Sequence, residues 1–241
     1  MAKTTTPEQE ARTRSARVWR WIRRNVVPFV VVIGVLAPIR SVIADWNDVP
    51  SGSMRPTILE GDRIFVNKLA FGLRVPFTRL WIAQWDEPAR GDIITLRSPD
   101  SGDRLVKRVV GVPGDRIAVR DGRLVINGAP VRYEGEPEGR AERLPDGRTV
   151  RVEVLTERLP GRSHAVAFTP SLPDLPPVGE ITIPKDRYLV LGDNRDQSRD
   201  SRVFGFATRG DLYGRSGYVA LSVDPDRGYM PRFDRWFMRL R

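Results

Sequence analysis

The chain has 241 residues, of which 40% are hydrophobic and 29% charged, and a formal net charge of +10. Such a length supports one good-sized domain or two small ones around a real apolar core. Cysteine is absent, which excludes a disulfide framework and a thiol nucleophile and removes most structural zinc sites.

The positive charge is concentrated at the N-terminus. Lys3, Arg12, Arg14, Arg17, Arg20, Arg23 and Arg24 face only Glu8 and Glu10, an imbalance suited to nucleic acid or to an anionic membrane surface. The sequence that follows, VVPFVVVIGVLAPI from Val26, carries no charge before Arg40. A clean run of about 14 residues is short for a spanning helix, which needs ~20. It is compatible with a buried core helix or a cleaved secretory signal as well as an anchor. Three features favour the anchor. The arginines lie immediately upstream, as the positive-inside rule expects. Arg40 can snorkel, so the apolar stretch extends through Val42, Ile43 and Ala44. Pro28 and Pro38 suit a spanning helix better than a soluble core helix. The expected organisation is a basic cytoplasmic segment over 1–25, a transmembrane anchor over 26–44 and an exported body over 45–241.

Beyond the anchor no helical periodicity persists. Short runs bounded by Gly, Pro, Asp and Asn dominate: DRIFVNKLA, GDIITLR, DRLVKRVVGV, DRIAVR, RLVING, EITI and DRYLVLG. IAVRDGRLVINGAPV predicts a hairpin turning at Asp121-Gly122, with a second turn at Asn127-Gly128. The expected fold is mainly β: an N-terminal transmembrane helix, then a β-rich body of packed or partly closed antiparallel sheets. From about 131 to 178 the sequence becomes charged and proline-rich and predicts an inserted excursion carrying a strand or two, Val150 to Leu155. The segment RGYMPRFDRWFMRLR combines aromatics with five arginines, which fits either a packed terminus or a membrane-surface contact.

Few groups are available for nucleophilic catalysis. The single histidine, His164, lies in the charged excursion and is expected at the surface, which disfavours a Ser-His-Asp triad. A nucleophilic serine then needs another base, and a neutral lysine is the strong remaining candidate. In VPSGSMRPTILEGD, Pro50 and Pro56 hold the chain extended around Ser51, Gly52 and Ser53. Taken alone, the segment reads more readily as a plain Ser/Pro loop than as a site. In LVKRVVGVPGD, alternation puts Leu105, Lys107 and Val109 on one strand face and Val106, Arg108 and Val110 on the other. Between apolar neighbours on a core-facing strand, the Lys107 ammonium is desolvated and its pKa falls; spacing leaves open that this face meets water. GDNRDQSRDSRVFGF, 192–206, invites a calcium reading. However, Arg195 and Gln197 occupy ligand positions and no glycine stands at the turn, so a loop tied by Asp–Arg pairs fits better.

PSGSMRPTIL, GDRIFVNK, LVKRVVGVPGD and GDNRDQSRDSRVFGF, in that order behind an apolar N-terminal run, resemble the motifs of the type I signal peptidases (leader peptidases), a family of serine–lysine peptidases. The resemblance implies Ser53 as nucleophile and Lys107 as general base. It implies Ser51 as the hydroxyl that joins the Ser53 backbone N–H in an oxyanion hole, and Ser198 as the hydroxyl that orients the lysine amine. Asp200 and Arg202 match a supporting pair, with Asp193 and Arg108 behind the site. It further implies a single-pass protein of the bacterial cytoplasmic membrane that removes signal peptides from presecretory proteins. Those substrates carry small residues before the cut; the lipid bilayer is a partner, and no cofactor, metal or nucleic acid is required. Trp46-Asn47-Asp48-Val49 is more polar than is usual in the family, and one apolar span stands where some members have two. Another Ser/Lys peptidase, such as a conjugation-pilin processing enzyme, and a non-catalytic membrane-tethered binding protein are the alternatives.

Overall fold

The computed structural model describes residues 19–240, apart from 76–77, 79, 121, 144–146 and 174–176. Lys3, Arg12, Arg14 and Arg17 of the basic cluster and Asp121 of the expected turn lie outside the described residues. Helical backbone runs from 19 to 25 and resumes as Val27–Val42, 16 residues. Backbone bonds Val26 N→Ile22 O (2.8 Å) and Val30 N→Val26 O (2.9 Å) link the two parts. Among the described residues, no helix is long and apolar enough to cross a membrane. Phe29, Val30, Val31, Val32 and Ile33 are each at least half exposed. Five consecutive positions sweep the full circumference of a helix, so this helix has no polar face there. The chain then passes directly into a strand, Ala44–Asp48.

The body is mainly β, as expected. Its largest sheet has the order Ala44–Asp48, Asp62–Asn67, Leu212–Asp224, Ile93–Arg97, Arg104–Gly111, Arg187–Leu191, Ala207–Thr208, with Met230–Pro231 paired beside Leu212–Asp224. Every pairing is antiparallel. Register shifts interrupt the Leu212–Asp224 ladders on both sides and the Arg187–Leu191 ladder; such bulges bend and twist strands, and the sheet curls into a half-barrel. The polar first strand is held by pairing: Arg104 Nη1 donates to Asn47 Oδ1 (2.6 Å), and Lys68 Nζ lies 3.2 Å from Asp45.

A four-stranded sheet holds Val178–Thr182, Arg116–Arg120, Arg123–Ile126 and Ala129–Pro130 in that order, which contains the expected hairpin. Asn127 and Gly128 adopt φ of 52° and 80°, the left-handed conformation that an Asn-Gly turn supplies at low strain. Ile117, Val119, Leu124 and Ile126 of this sheet pack on Val110, Leu189 and Leu191 of the large one.

The excursion is more ordered than its composition suggests. It forms a three-stranded antiparallel sheet, Arg132–Arg143, Thr149–Leu159 and Arg162–Phe168. Its outer strand contains EGEPEGRAER, which offers no apolar alternation to read. Instead it pairs through the backbone and through ions such as Arg158–Glu134, 2.6 Å.

The segment after 230 is both packed and exposed. Arg235 donates to buried Asp62 through Nε (3.1 Å) and Nη2 (2.5 Å), and Nη2 also reaches Thr57 O (3.1 Å). Trp236 Nε1 donates to Ser222 O (3.1 Å), whereas Tyr229, Phe233 and Phe237 project outward. Removing one partner of a buried ion pair strands the other. Arg235→Leu should therefore lower stability by about 3 kcal/mol, read as the urea midpoint. An unchanged midpoint would exclude this residue from the support of the 55–62 loop.

Candidate active site

The site begins with the loop after the first strand. Ser51 is extended (φ −132°, ψ 151°) and exposed, and its side chain makes no capping bond to the short 3-10 turn Gly52–Met54 that follows. Apolar residues fix this loop: Val49, Met54 and Ile58 are buried in one cluster with Ile64, Val66 and Leu240. A Cβ on Gly52 would lie 2.8 Å from Glu60 Oε1 and 3.0 Å from Arg55 Nε, the ends of side chains that can swing aside, so glycine eases this packing without being demanded by it. The alternation of apolar and small residues thus buries Met54 and leaves Ser51 at the rim, with Ser53 half-buried between them.

Lys107 comes from the strand Arg104–Gly111 in the middle of the large sheet. Leu105 and Val109 pack in one core cluster and Val106 in another, so the expected two-faced strand is realised with both faces covered. Lys107 is 2% exposed. Its Nζ lies 2.7 Å from Ser53 Oγ and donates to Val106 O at 3.0 Å. Burial pushes the Lys107 amine down to about 8; Asp200 and Asp193 pull it back up, and Arg202 opposes them.

The turn 192–198 closes the site. Asn194 N donates to Ser53 O (3.1 Å), and its side-chain Nδ2 to Gly52 O (3.1 Å), so one residue grips the serine turn twice. A Cβ on Gly192 would lie 2.4 Å from Ser53 O and 2.2 Å from Ser198 Oγ. Only glycine allows the serine turn and Ser198 to meet there. Ser198 is buried, and among the described residues its Oγ has no hydrogen-bond partner.

Two buried ion pairs hold this turn. Arg108 donates to Asp193 through Nε (2.8 Å) and Nη2 (2.7 Å) and to Gly91 O (2.9 Å), while Thr57 Oγ1 donates to Asp193 Oδ2 (2.5 Å). Burial opposes ionisation of Asp193, but the Arg108 guanidinium outweighs it and keeps the carboxyl below its ordinary value. Asp200 accepts from Arg202 Nε (2.8 Å) and Nη2 (2.7 Å) and from Gly192 N (3.0 Å), and it caps the short helix Ser201–Phe204.

The structure therefore brings Ser53 and Lys107 into contact, sets Ser198 beside the Ser53 carbonyl, and pairs Asp193 with Arg108 and Asp200 with Arg202. Ser51 stands apart at the exposed rim. The expectation for His164 is corrected: it is 6% exposed, with Nε2 3.2 Å from Glu157 Oε2 and 3.6 Å from Asp193 Oδ1. It lies on the edge strand Arg162–Phe168 of the inserted sheet, opposite Glu157 on the middle strand, and turns toward buried carboxylates. Sequence reading also passes over Thr57, Gly192, Asn194, Glu157 and Tyr133, and it notes Arg195 only as unsuited to calcium. The continuous apolar run Ala165, Val166, Ala167 and Phe168 directly after His164 is the signal that could have placed the histidine inside.

A hydroxyl against a dry amine has the parts of a base-activated nucleophile. Comparison with known proteins agrees in kind. The family model described as "Signal peptidase, peptidase S26" matches residues 19–221. Signal peptidase I of Pseudomonas aeruginosa is 32% identical over 223 residues, covering 86% of this chain and 75% of that protein. Signal peptidase I of Rickettsia typhi is 31% identical, covering 84% and 81%. A crystal structure of a signal peptidase I from Enterococcus faecalis is 29% identical, covering 54% of this chain and 97% of its own, with a TM-score of 0.34. The chain belongs to the signal peptidase family, peptidase S26, and is a serine endopeptidase.

Proposed function

We propose that this chain is a membrane-anchored endopeptidase that removes signal peptides from exported preproteins through a Ser53–Lys107 dyad and an acyl-enzyme. The observation that carries the reading is the 2.7 Å contact of Lys107 Nζ with Ser53 Oγ, made by an amine that burial brings down to about 8.

In this mechanism the neutral Lys107 amine takes the Ser53 proton as Oγ attacks the scissile carbonyl carbon. The resulting ammonium gives that proton to the departing amine, and the substrate's N-terminal segment remains as an ester on Ser53. Lys107 then takes a proton from water, hydroxide attacks the ester, and Ser53 Oγ leaves with the proton restored. Negative charge develops twice on the carbonyl oxygen. The Ser51 hydroxyl and the Ser53 backbone N–H are the donors we assign to it, each such donor being worth ~2.7–4 kcal/mol in the transition state. We assign Ser198, whose buried hydroxyl has no partner among the described residues, to orient the lysine amine by turning toward it during catalysis. Arg108–Asp193 and Arg202–Asp200 hold the turn and leave its carboxylates already neutralised. The helix Val27–Val42, apolar around its circumference over Phe29–Ile33, is about 24 Å long, most of a bilayer core, and is extended by helical residues 19–25, whose arginines suit the cytoplasmic headgroups. The substrates we assign to it carry small residues before the cut.

Activity follows the neutral amine. On a model preprotein in detergent, kcat/KM should climb about tenfold per pH unit below 8 and level off above it. Ser53→Ala and Lys107→Arg should both be inactive, the latter because guanidinium stays charged. An active Lys107→Arg enzyme would falsify the dyad.

Because Ser51 makes no capping bond in its loop, Ser51→Ala should lower kcat by about two to three orders of magnitude with little change in KM. Ser51→Thr should retain much of the activity. Near wild-type kcat in folded Ser51→Ala would take this hydroxyl out of the oxyanion hole.

For topology, protease added outside spheroplasts should digest the body beyond Trp46 and spare the basic N-terminal segment. Digestion only after lysis would reverse the proposed orientation.

A further inference from the structure

The inserted sheet is fastened to the turn 192–198 at several points. Ala167 N donates to Asp193 O (2.8 Å), Thr169 N to Asp196 Oδ2 (2.6 Å), and Gln197 Nε2 to Thr169 Oγ1 (3.3 Å). The strongest link is Arg195, which donates through Nη1 and Nη2 to the two oxygens of Glu157, each at 2.5 Å, with both side chains 0% exposed. Tyr133, on the neighbouring strand, donates to the same carboxylate at 2.6 Å and accepts from Leu124 N at 3.1 Å. Burial pushes the Tyr133 phenol up to about 12, so it remains a donor. Burial also opposes ionisation of Glu157, but Arg195 prevails and holds it below the usual carboxylate range.

Arg195 passes this restraint onward. Its Nε donates to Gly192 O at 3.2 Å, and its own carbonyl accepts from Arg202 Nη2 at 2.5 Å. Gly192 is the point where Ser53 and Ser198 crowd together. A continuous path therefore runs from the inserted sheet through Glu157 and Arg195 to the backbone against which the serine turn rests. A buried ion pair is a poor source of stability, since apolar replacements of both partners are often neutral or better for the fold. What such replacements lack is the directed bond from Arg195 to Gly192 O.

Resting on the Ser53–Lys107 reading, we infer that Glu157 and Arg195 are positioning residues for peptide cleavage, and that the inserted sheet is a working part of the active site because it delivers Glu157 to the turn 192–198. The register of Ser53 against Lys107 depends on that turn, and displacement by about 1 Å costs on the order of a hundredfold in rate.

The test uses the full chain in detergent and a fluorogenic peptide with small residues before the cut. Wild type and Ser53→Ala come first: an inactive wild type or an active Ser53→Ala overturns the Ser53–Lys107 reading and this inference with it. Against an active wild type, the double variant Glu157→Met/Arg195→Met should keep its melting temperature yet lose about 30-fold or more in kcat with KM within about threefold. A kcat within about threefold of wild type at unchanged melting temperature overturns the inference alone. Should the double variant not fold, Glu157→Asp decides, because it keeps the charge and withdraws the carboxylate by one methylene. A fall in kcat of about fivefold or more at constant KM supports the inference, and an unchanged kcat overturns it.

Discussion

An amine in an apolar interior either finds a counter-charge or loses its proton. Lys107 is given no counter-charge: among the described residues no carboxylate lies within ion-pair distance of its Nζ, which instead meets Ser53 Oγ and the Val106 carbonyl. Holding it there carries a thermodynamic cost. Because its native pKa is depressed toward 8, the native state binds fewer protons than the unfolded chain. Stability is therefore full above the ordinary lysine pKa, falls as pH drops from 10.5 to 8, and stays reduced by roughly 3 kcal/mol below that. The packing around Lys107 has to supply that amount.

The arginines of the site make sense in this light. Asp193 and Asp200 are close enough to raise the lysine's pKa, and free carboxylates there would re-protonate it. Each is instead engaged by a bidentate guanidinium, Arg108 and Arg202, whose planar fork matches a carboxylate better than an ammonium does. At Lys107 both carboxylates still pull the pKa up, and Arg202 partly offsets them. The same pairs supply rigidity, through Asp200 to Gly192 N and through Thr57 to Asp193. The bonds that hold the turn thus also temper the pull of the carboxylates on the amine.

How much of this was legible in the sequence depends on the range of the interaction. Strands such as Ile93–Arg97 and Arg187–Leu191 declare themselves by local apolar runs with Gly and Asp boundaries, and the turn at Asn127-Gly128 by its dipeptide. Ser53, Lys107 and the 192–206 loop stood out because each motif is contiguous. Hidden were the partners that meet only in three dimensions. Glu157 is 38 residues from Arg195, and nothing in LTERLP distinguishes a buried carboxylate from a solvated one. His164 was assigned to the surface because its neighbourhood is charged, yet strand alternation turns it toward those very charges. The strand Arg132–Arg143 escaped notice because an ion-paired edge has no apolar period. The helix Val27–Val42 ends where the first strand begins, a boundary that hydropathy alone blurs.

The bond from Arg235 to Asp62 spans 173 residues, and it has a consequence in time. At synthesis rates of about 5–20 residues per second, the 55–62 loop beside Ser53 waits roughly 10–30 s for the guanidinium that fixes it. During that interval Ser53 and the loop beside it have already emerged without this restraint. Of the hydrogen bonds described for that loop, those from Arg235 are the last that can form as the chain emerges.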